Sequence, residues 1–156
     1  MISDWHTVEG KKSLDTGKLW EGKLYNKLRE IDSKAEWISQ KPDNYYLGFD
    51  MKFKGLQIEV KSNDGWDWNN KRAYETVCVE LTTKAGRPVG WMMGNADIVA
   101  FINIWERSCY LYRASVLKSF VKGRRKFVRH NAECTTMRWN EGEDAGFIKK
   151  ISLEFY

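Results

Sequence analysis

Between Tyr45 and Asn63 the chain reads YYLGFDMKFKGLQIEVKSN, and its pattern admits few local folds. Leu56, Ile58 and Val60 alternate with Gln57, Glu59 and Lys61, a period of two that belongs to a strand rather than a helix. Leu47, Phe49, Met51 and Phe53 alternate in the same way with Gly48, Asp50 and Lys52. Lys54-Gly55 then fits a two-residue turn joining two strands. With that turn, Phe53 faces Leu56, Asp50 faces Glu59 and Gly48 faces Lys61. Facing side chains stand roughly 5 Å apart, and like charges there are destabilising. A divalent cation would turn that cost into a binding site, because hard cations take carboxylate oxygens. Gly48 leaves an open spot opposite Lys61 where a backbone or ligand can approach. The competing reading is an amphipathic ribbon with a solvated charged face. Asp50, Glu59 and Lys61 in this one register favour the site.

The chain has 156 residues, enough for one domain, 1–156, with a real core. Eight Trp, seven Tyr and seven Phe supply bulky core material, and only two Pro argue against disorder or a long linker. The formal charge of +5 suits a polyanionic partner but also simply solubilises. Cys78, Cys109 and Cys134 are odd in number and widely spaced, which suits a reducing compartment and matches no zinc pattern. No signal peptide or membrane-length apolar run is visible, so a cytoplasmic protein with no membrane partner is expected.

Residues 1–12 read as a loose lead-in. A helix is predicted over 14–31, where Trp20, Leu24, Leu28 and Ile31 form a stripe and Ser13, Asp15 or Thr16 caps the start. Glu21 borders that stripe. A short strand follows at 35–39, then the turn signal Pro42-Asp43-Asn44 and the hairpin. Residues 63–72 read as a polar loop with two tryptophans, and 74–83 as a strand. A glycine-punctuated loop over 84–96 leads to the apolar strand 97–102, expected to be central. A short strand at 109–113, a helix at 114–121 and a last strand at 147–155 complete an α/β domain with a mixed sheet.

These residues resemble a known family. A helix bearing Glu21, a strand bearing Asp50, then Glu59-Val60-Lys61 is similar to the PD-(D/E)xK nuclease superfamily. The downstream run VELTTKAGRPVGWMMGNADIVAFI is similar to small phage-type endonucleases of that superfamily. Phe49 stands where the family has proline, and the literal Pro42-Asp43 lies in a turn too far upstream. The resemblance implies a restriction-endonuclease-like fold, a central mixed sheet flanked by helices, and Mg²⁺-dependent cleavage of DNA with Mn²⁺ as substitute. It implies that Asp50, Glu59 and the Val60 carbonyl hold the metal, with Glu21 as an accessory ligand. Lys61 becomes the catalytic lysine, either orienting or activating water or steadying phosphate charge.

Glu80 either lines the cleft near Lys61 or is solvated, and Asp97 is expected to cap a loop turn. Lys118, Lys122, Arg124, Arg125, Lys126 and Arg129 run without an acid, with Phe120 and Phe127 between them. They suit phosphate contact, or else a solvated helix end and turn. Trp66 and Trp68 either stack on a base or pack beneath their loop. His6 and His130 have no partner pattern. The expected function is a metal-dependent DNA endonuclease. A non-catalytic nucleic-acid-binding module on the same fold is the alternative, and a structural or partner-binding protein a third. A homodimer would supply two active sites for cutting both strands, and a phage-encoded enzyme would work in the host cytoplasm.

Overall fold

A computed structural model describes residues 8–40, 49–63, 76–82, 92, 94, 96–129 and 132–154. The hairpin forms as its alternation requires. Strand β2 is Met51–Phe53 and strand β3 is Leu56–Asn63. They pair antiparallel, Phe53 with Leu56, Lys52 with Gln57 and Met51 with Ile58. Lys54 and Gly55 have φ of 49° and 78°, the left-handed pair that a two-residue turn needs to match strand twist. Strand β1, Glu36–Trp37, pairs antiparallel with β2 and gives way to a 3₁₀ turn, Ile38–Gln40. The expected strand at 35–39 is therefore only two residues long.

Strand β3 runs parallel to β5, Ile98–Asn103, with Ile58 beside Ile98 and Lys61 beside Phe101. Strand β6, Ser108–Arg113, pairs antiparallel with β5, and β9, Phe147–Ser152, with β6. The order of this mixed sheet is β1-β2-β3-β5-β6-β9. Every residue of β5 is buried, as its unbroken apolar run requires of a central parallel strand.

Helix α1 is Val8–Ile31 and starts upstream of the expected cap at Ser13–Thr16, so part of the supposed lead-in is helical. Its stripe of Trp20, Leu24 and Leu28 packs on Met51, Ile58, Ala100 and Ile102, one face of the sheet. Burying Leu24 or Leu28 fully is worth about 2 kcal/mol each. Helix α2, Ala114–Lys122, lies on the opposite face with Leu117 and Val121 inward.

One expectation is corrected. Strand β4, Thr76–Glu80, does not join the mixed sheet. It pairs with β8, Ala132–Arg138, which pairs with β7, Lys126–Arg129, in a separate three-stranded antiparallel sheet. Val77, Val79, Leu81 and Met137 from this sheet pack with Val99, Phe101, Tyr112 and Leu117. Among the described residues the chain is thus α/β, with two α-helices, α1 on one face of the mixed sheet and α2 with the small sheet on the other. None of the described helices is long and apolar enough to cross a membrane. The cysteines form no disulfide, and Cys109 and Cys134 are buried.

Candidate active site

Asp50 is placed by main-chain bonds. Its N–H donates to the Ile58 carbonyl at 2.8 Å, although Ile58 already faces Met51. Two residues set against one is the arrangement of a β-bulge, which re-aims a side chain and ends regular pairing. The Asp50 carbonyl accepts N–H bonds from Ile38 and Ser39 at 2.8 and 3.1 Å. Its Oδ2 accepts the Val60 N–H at 2.7 Å. The simple face-to-face pairing of Asp50 with Glu59 is therefore corrected: the ladder ends at Met51–Ile58, and the carboxylate turns onto the backbone of β3. In a strand, the N–H and C=O of one residue point to the same edge. The Val60 carbonyl thus points past the end of β2, on the side where Asp50 sits.

Glu59 and Lys61 lie on the sheet face shared with Val99 and Phe101, because paired neighbours in a sheet share a face. Lys61 Nζ is 3.3 Å from Glu59 Oε1, and the two side chains are 41% and 12% exposed. The lysine therefore reaches solvent while its partner is nearly covered. Glu21 arrives from α1 and is only 9% exposed. Its Oε2 accepts Trp37 Nε1–H at 2.9 Å and the Ser39 hydroxyl at 3.1 Å, and its carboxyl contacts that of Asp50. Gly22 permits this close approach, since a Cβ there would lie 3.0 Å from the Trp37 ring. Trp37 and Ser39 join the site without a motif to announce them. Their only trace in the sequence is a polar break after a two-residue strand.

The electrostatics follow from burial. Burial, then the neighbouring Asp50 charge, pushes Glu21 up to about 8. Burial also raises Asp50, against the opposing pull of the Val60 N–H and Lys61. Glu59 is pushed up to about 7 by burial, with Lys61 lowering it and Asp50 raising it. Burial draws Lys61 down, but Glu59, Asp50 and Glu80 outweigh it and hold the ammonium above its usual value. Lys61 is thus a fixed positive charge rather than a base.

Three covered carboxylates outnumber one ammonium. Their oxygens are the hard donors that suit Mg²⁺ or Mn²⁺, and neutralising them would remove the cost that raises their pKa values. The three do not meet at one point: among the described residues no group of three or more His, Cys, Asp or Glu is gathered to hold a metal. Asp50 is the neighbour common to both others, touching Glu21 on one side and acting electrostatically on Glu59 on the other. The donors that could serve an ion from this arrangement are Asp50, Glu59 and the Val60 carbonyl, with Glu21 behind Asp50.

Glu80 ends β4, exposed, and acts on Lys61 through its charge. Asp97 fastens the backbone rather than the site. Its Oδ2 accepts the Gln57 N–H at 2.8 Å, its N–H donates to the Gln57 carbonyl, and its carbonyl accepts the Ala114 N–H. In the basic run, Arg124 donates to the Thr136 carbonyl at 3.0 Å and lies over the Phe120 ring. Lys126 Nζ caps the end of α2 on the Lys122 and Arg124 carbonyls. Lys122 and Arg125 are exposed, Lys118 is half-buried and Arg129 closes β7. Trp66, Trp68, Pro42, Asp43, Gly48, His6 and His130 lie outside the described residues. No family model, curated protein or solved structure matches this chain.

Proposed function

We propose that the chain is a metal-dependent DNA endonuclease, a restriction-endonuclease-like domain that hydrolyses phosphodiester bonds with a PD-(D/E)xK site. The observation that carries this reading is the bulge at Asp50, which clamps a covered carboxylate to the Val60 N–H beside Glu59 and Lys61. Asp50, Glu59 and the Val60 carbonyl would hold Mg²⁺. When bound, that ion polarises a phosphoryl oxygen and lowers the pKa of its water. Lys61, kept charged by its carboxylate neighbours, offers its ammonium to the oxygen on which negative charge grows. Glu21 positions Asp50 through their shared hydrogen bond and is itself held by Trp37 and Ser39. Glu80 stands at the cleft margin. Exposed Lys122 and Arg125 suit phosphate contact, whereas Arg124 and Lys126 mainly brace α2 and the small sheet. Two copies would cut both strands of a duplex. Thiols without disulfides suit the cytoplasm, a host's if the chain is phage-encoded.

The test is incubation of duplex, branched and single-stranded DNA with Mg²⁺ or Mn²⁺. Wild type cuts, and Asp50→Asn, Glu59→Gln and Lys61→Ala each lose at least about a hundredfold in rate. Equal cutting by wild type and Glu59→Gln ends the proposal. The second reading, a non-catalytic nucleic-acid-binding module, is favoured by the absence of three converging acidic groups among the described residues. It predicts salt-dependent binding with no metal requirement and no cleavage.

A further inference from the structure

A cleft of about 580 Å³ opens beside the β5–β6 turn and the end of β8. Trp105, Tyr110 and Trp139 give it aromatic walls, and Glu106, Arg138 and Asn140 are polar groups around it. The Tyr110 and Trp139 rings lie 5.6 Å apart, tilted by 37°. Trp139 is 4% exposed, and its indole N–H is buried without an acceptor. A buried donor left unmet is costly and calls for an explanation, a bound ligand among them. Glu106 is already set: its carboxylate accepts the Tyr110 hydroxyl at 2.7 Å and is paired with Lys150. The cleft is therefore lined by three aromatic residues, one with an indole N–H left unmet, and by a guanidinium, an amide and a fixed carboxylate. A flat ring with polar atoms along its edge, a nucleobase, matches that set.

The sheet register places the cleft relative to the candidate active site. Lys61 is beside Phe101 and Phe101 beside Tyr110, so Glu59, Lys61 and Tyr110 share one face. Two strand spacings separate Lys61 from Tyr110, roughly 10 Å. Unstacked nucleic acid covers that span in one to two nucleotides.

We propose that this cleft receives the base of an unpaired nucleotide lying next to the phosphate held at Asp50, Glu59 and Lys61. The position of that phosphate rests on the nuclease reading, whereas the recognition of the base does not. A base inside a duplex has its edge paired and its faces stacked, so only an unpaired or flipped base enters. DNA with an unpaired base near the cut is thus the preferred substrate class.

The experiment measures binding by fluorescence anisotropy with chelator present, so that nothing is cut. The ligands are a paired duplex, the same duplex with one unpaired adenine, the same with an abasic residue in that place, and deoxyadenosine monophosphate as competitor. The unpaired adenine is expected to bind roughly tenfold tighter than the abasic residue. Trp139→Phe keeps the ring and drops the N–H; Asn140→Ala alters an exposed side chain. Each is expected to shrink that preference severalfold while leaving paired-duplex binding unchanged. Equal affinity for adenine and abasic DNA overturns the proposal, as does a preference untouched by both variants. Competition by the mononucleotide, with no advantage for the unpaired adenine in DNA, shows a free-nucleotide pocket and overturns the substrate class. If the preference holds but Mg²⁺ or Mn²⁺ never brings cleavage, the pocket stands and the nuclease reading falls. If cleavage depends on Asp50 and Glu59 yet adenine and abasic substrates bind alike, the pocket alone falls.

Discussion

Replacing Glu21 with glutamine should stabilise the metal-free protein at alkaline pH. Glu21 is 9% exposed, and burial with the Asp50 charge lifts its pKa from 4.5 to about 8. The folded state therefore binds this proton more tightly than the unfolded chain. Below pH 4.5 both states hold it, and the contribution to stability is complete. Between pH 4.5 and 8 the unfolded chain releases the proton first, so stability falls as pH rises. Each unit of pKa is worth about 1.4 kcal/mol, so an ionised Glu21 costs the metal-free fold on the order of 3–5 kcal/mol at pH 8.5. Glutamine keeps an oxygen for Trp37 Nε1–H and the Ser39 hydroxyl, and its NH₂ replaces the acid proton toward Asp50. The measurement is urea unfolding with chelator at pH 5 and pH 8.5. Glu21→Gln should match wild type within about 1 kcal/mol at pH 5 and exceed it by about 3 kcal/mol at pH 8.5. Mg²⁺ should restore wild type at pH 8.5 and do less for the variant. A variant no more stable than wild type at pH 8.5, or one with the same gap at both pH values, refutes the reasoning.

Three further outcomes are checked by the same unfolding assay and a fourth by binding. Leu24→Ala, at a fully buried position of α1, should cost about 2–5 kcal/mol. Gly146→Ala should cost more than about 1 kcal/mol, because φ there is 90° and a Cβ would lie 2.9 Å from the Arg113 carbonyl oxygen and the Val116 Cβ. Asp97→Ala should lose about 0.5–1.5 kcal/mol, because water takes over the exposed Gln57 N–H, while leaving cleavage intact. Arg125→Ala should lower the salt dependence of duplex binding by about one counterion without destabilising the fold, measured by binding at several salt concentrations.

Alternation carries the hairpin because Ile58 and Met51 must be buried while Gln57 and Lys52 need not be. Lys54-Gly55 then sets the three observed pairs. The bulge at Asp50 is invisible in the sequence because Phe49, Asp50 and Met51 continue an unbroken period of two. What breaks the period is the main chain of Ile38 and Ser39, far away in sequence. Strand β5 is legible because an all-apolar run of that length has one use beside a parallel neighbour. Strands β7 and β8 are not legible. Lys126, Val128, Glu133 and Arg138 face outward, so the segment looks like a basic helix end followed by a polar stretch. Its core face, Thr135 and Met137, lies beside Val79 and Val77 of β4 and needs them and the central sheet before it acquires meaning. Of the candidate site, Asp50, Glu59 and Lys61 can be read from spacing, while Glu21 enters only through the resemblance. Their unequal placement, with Asp50 between two groups that approach from different sides, comes only from packing.

Asp50 joins three stretches of chain through one residue. Its N–H holds Ile58, its carbonyl holds Ile38 and Ser39, and its side chain holds Val60. Strands β1 and β2 contribute only two and three residues to the edge of the sheet, so little else fastens that margin. Local opening of the edge and dismantling of the carboxylate cluster are therefore one cooperative event. The amides of Ile38, Ser39 and Val60 should exchange with solvent together, and any ligand of the carboxylates should slow all three alike. In this fold the bonds that set the Asp50 carboxylate are also the fastening of the sheet's edge.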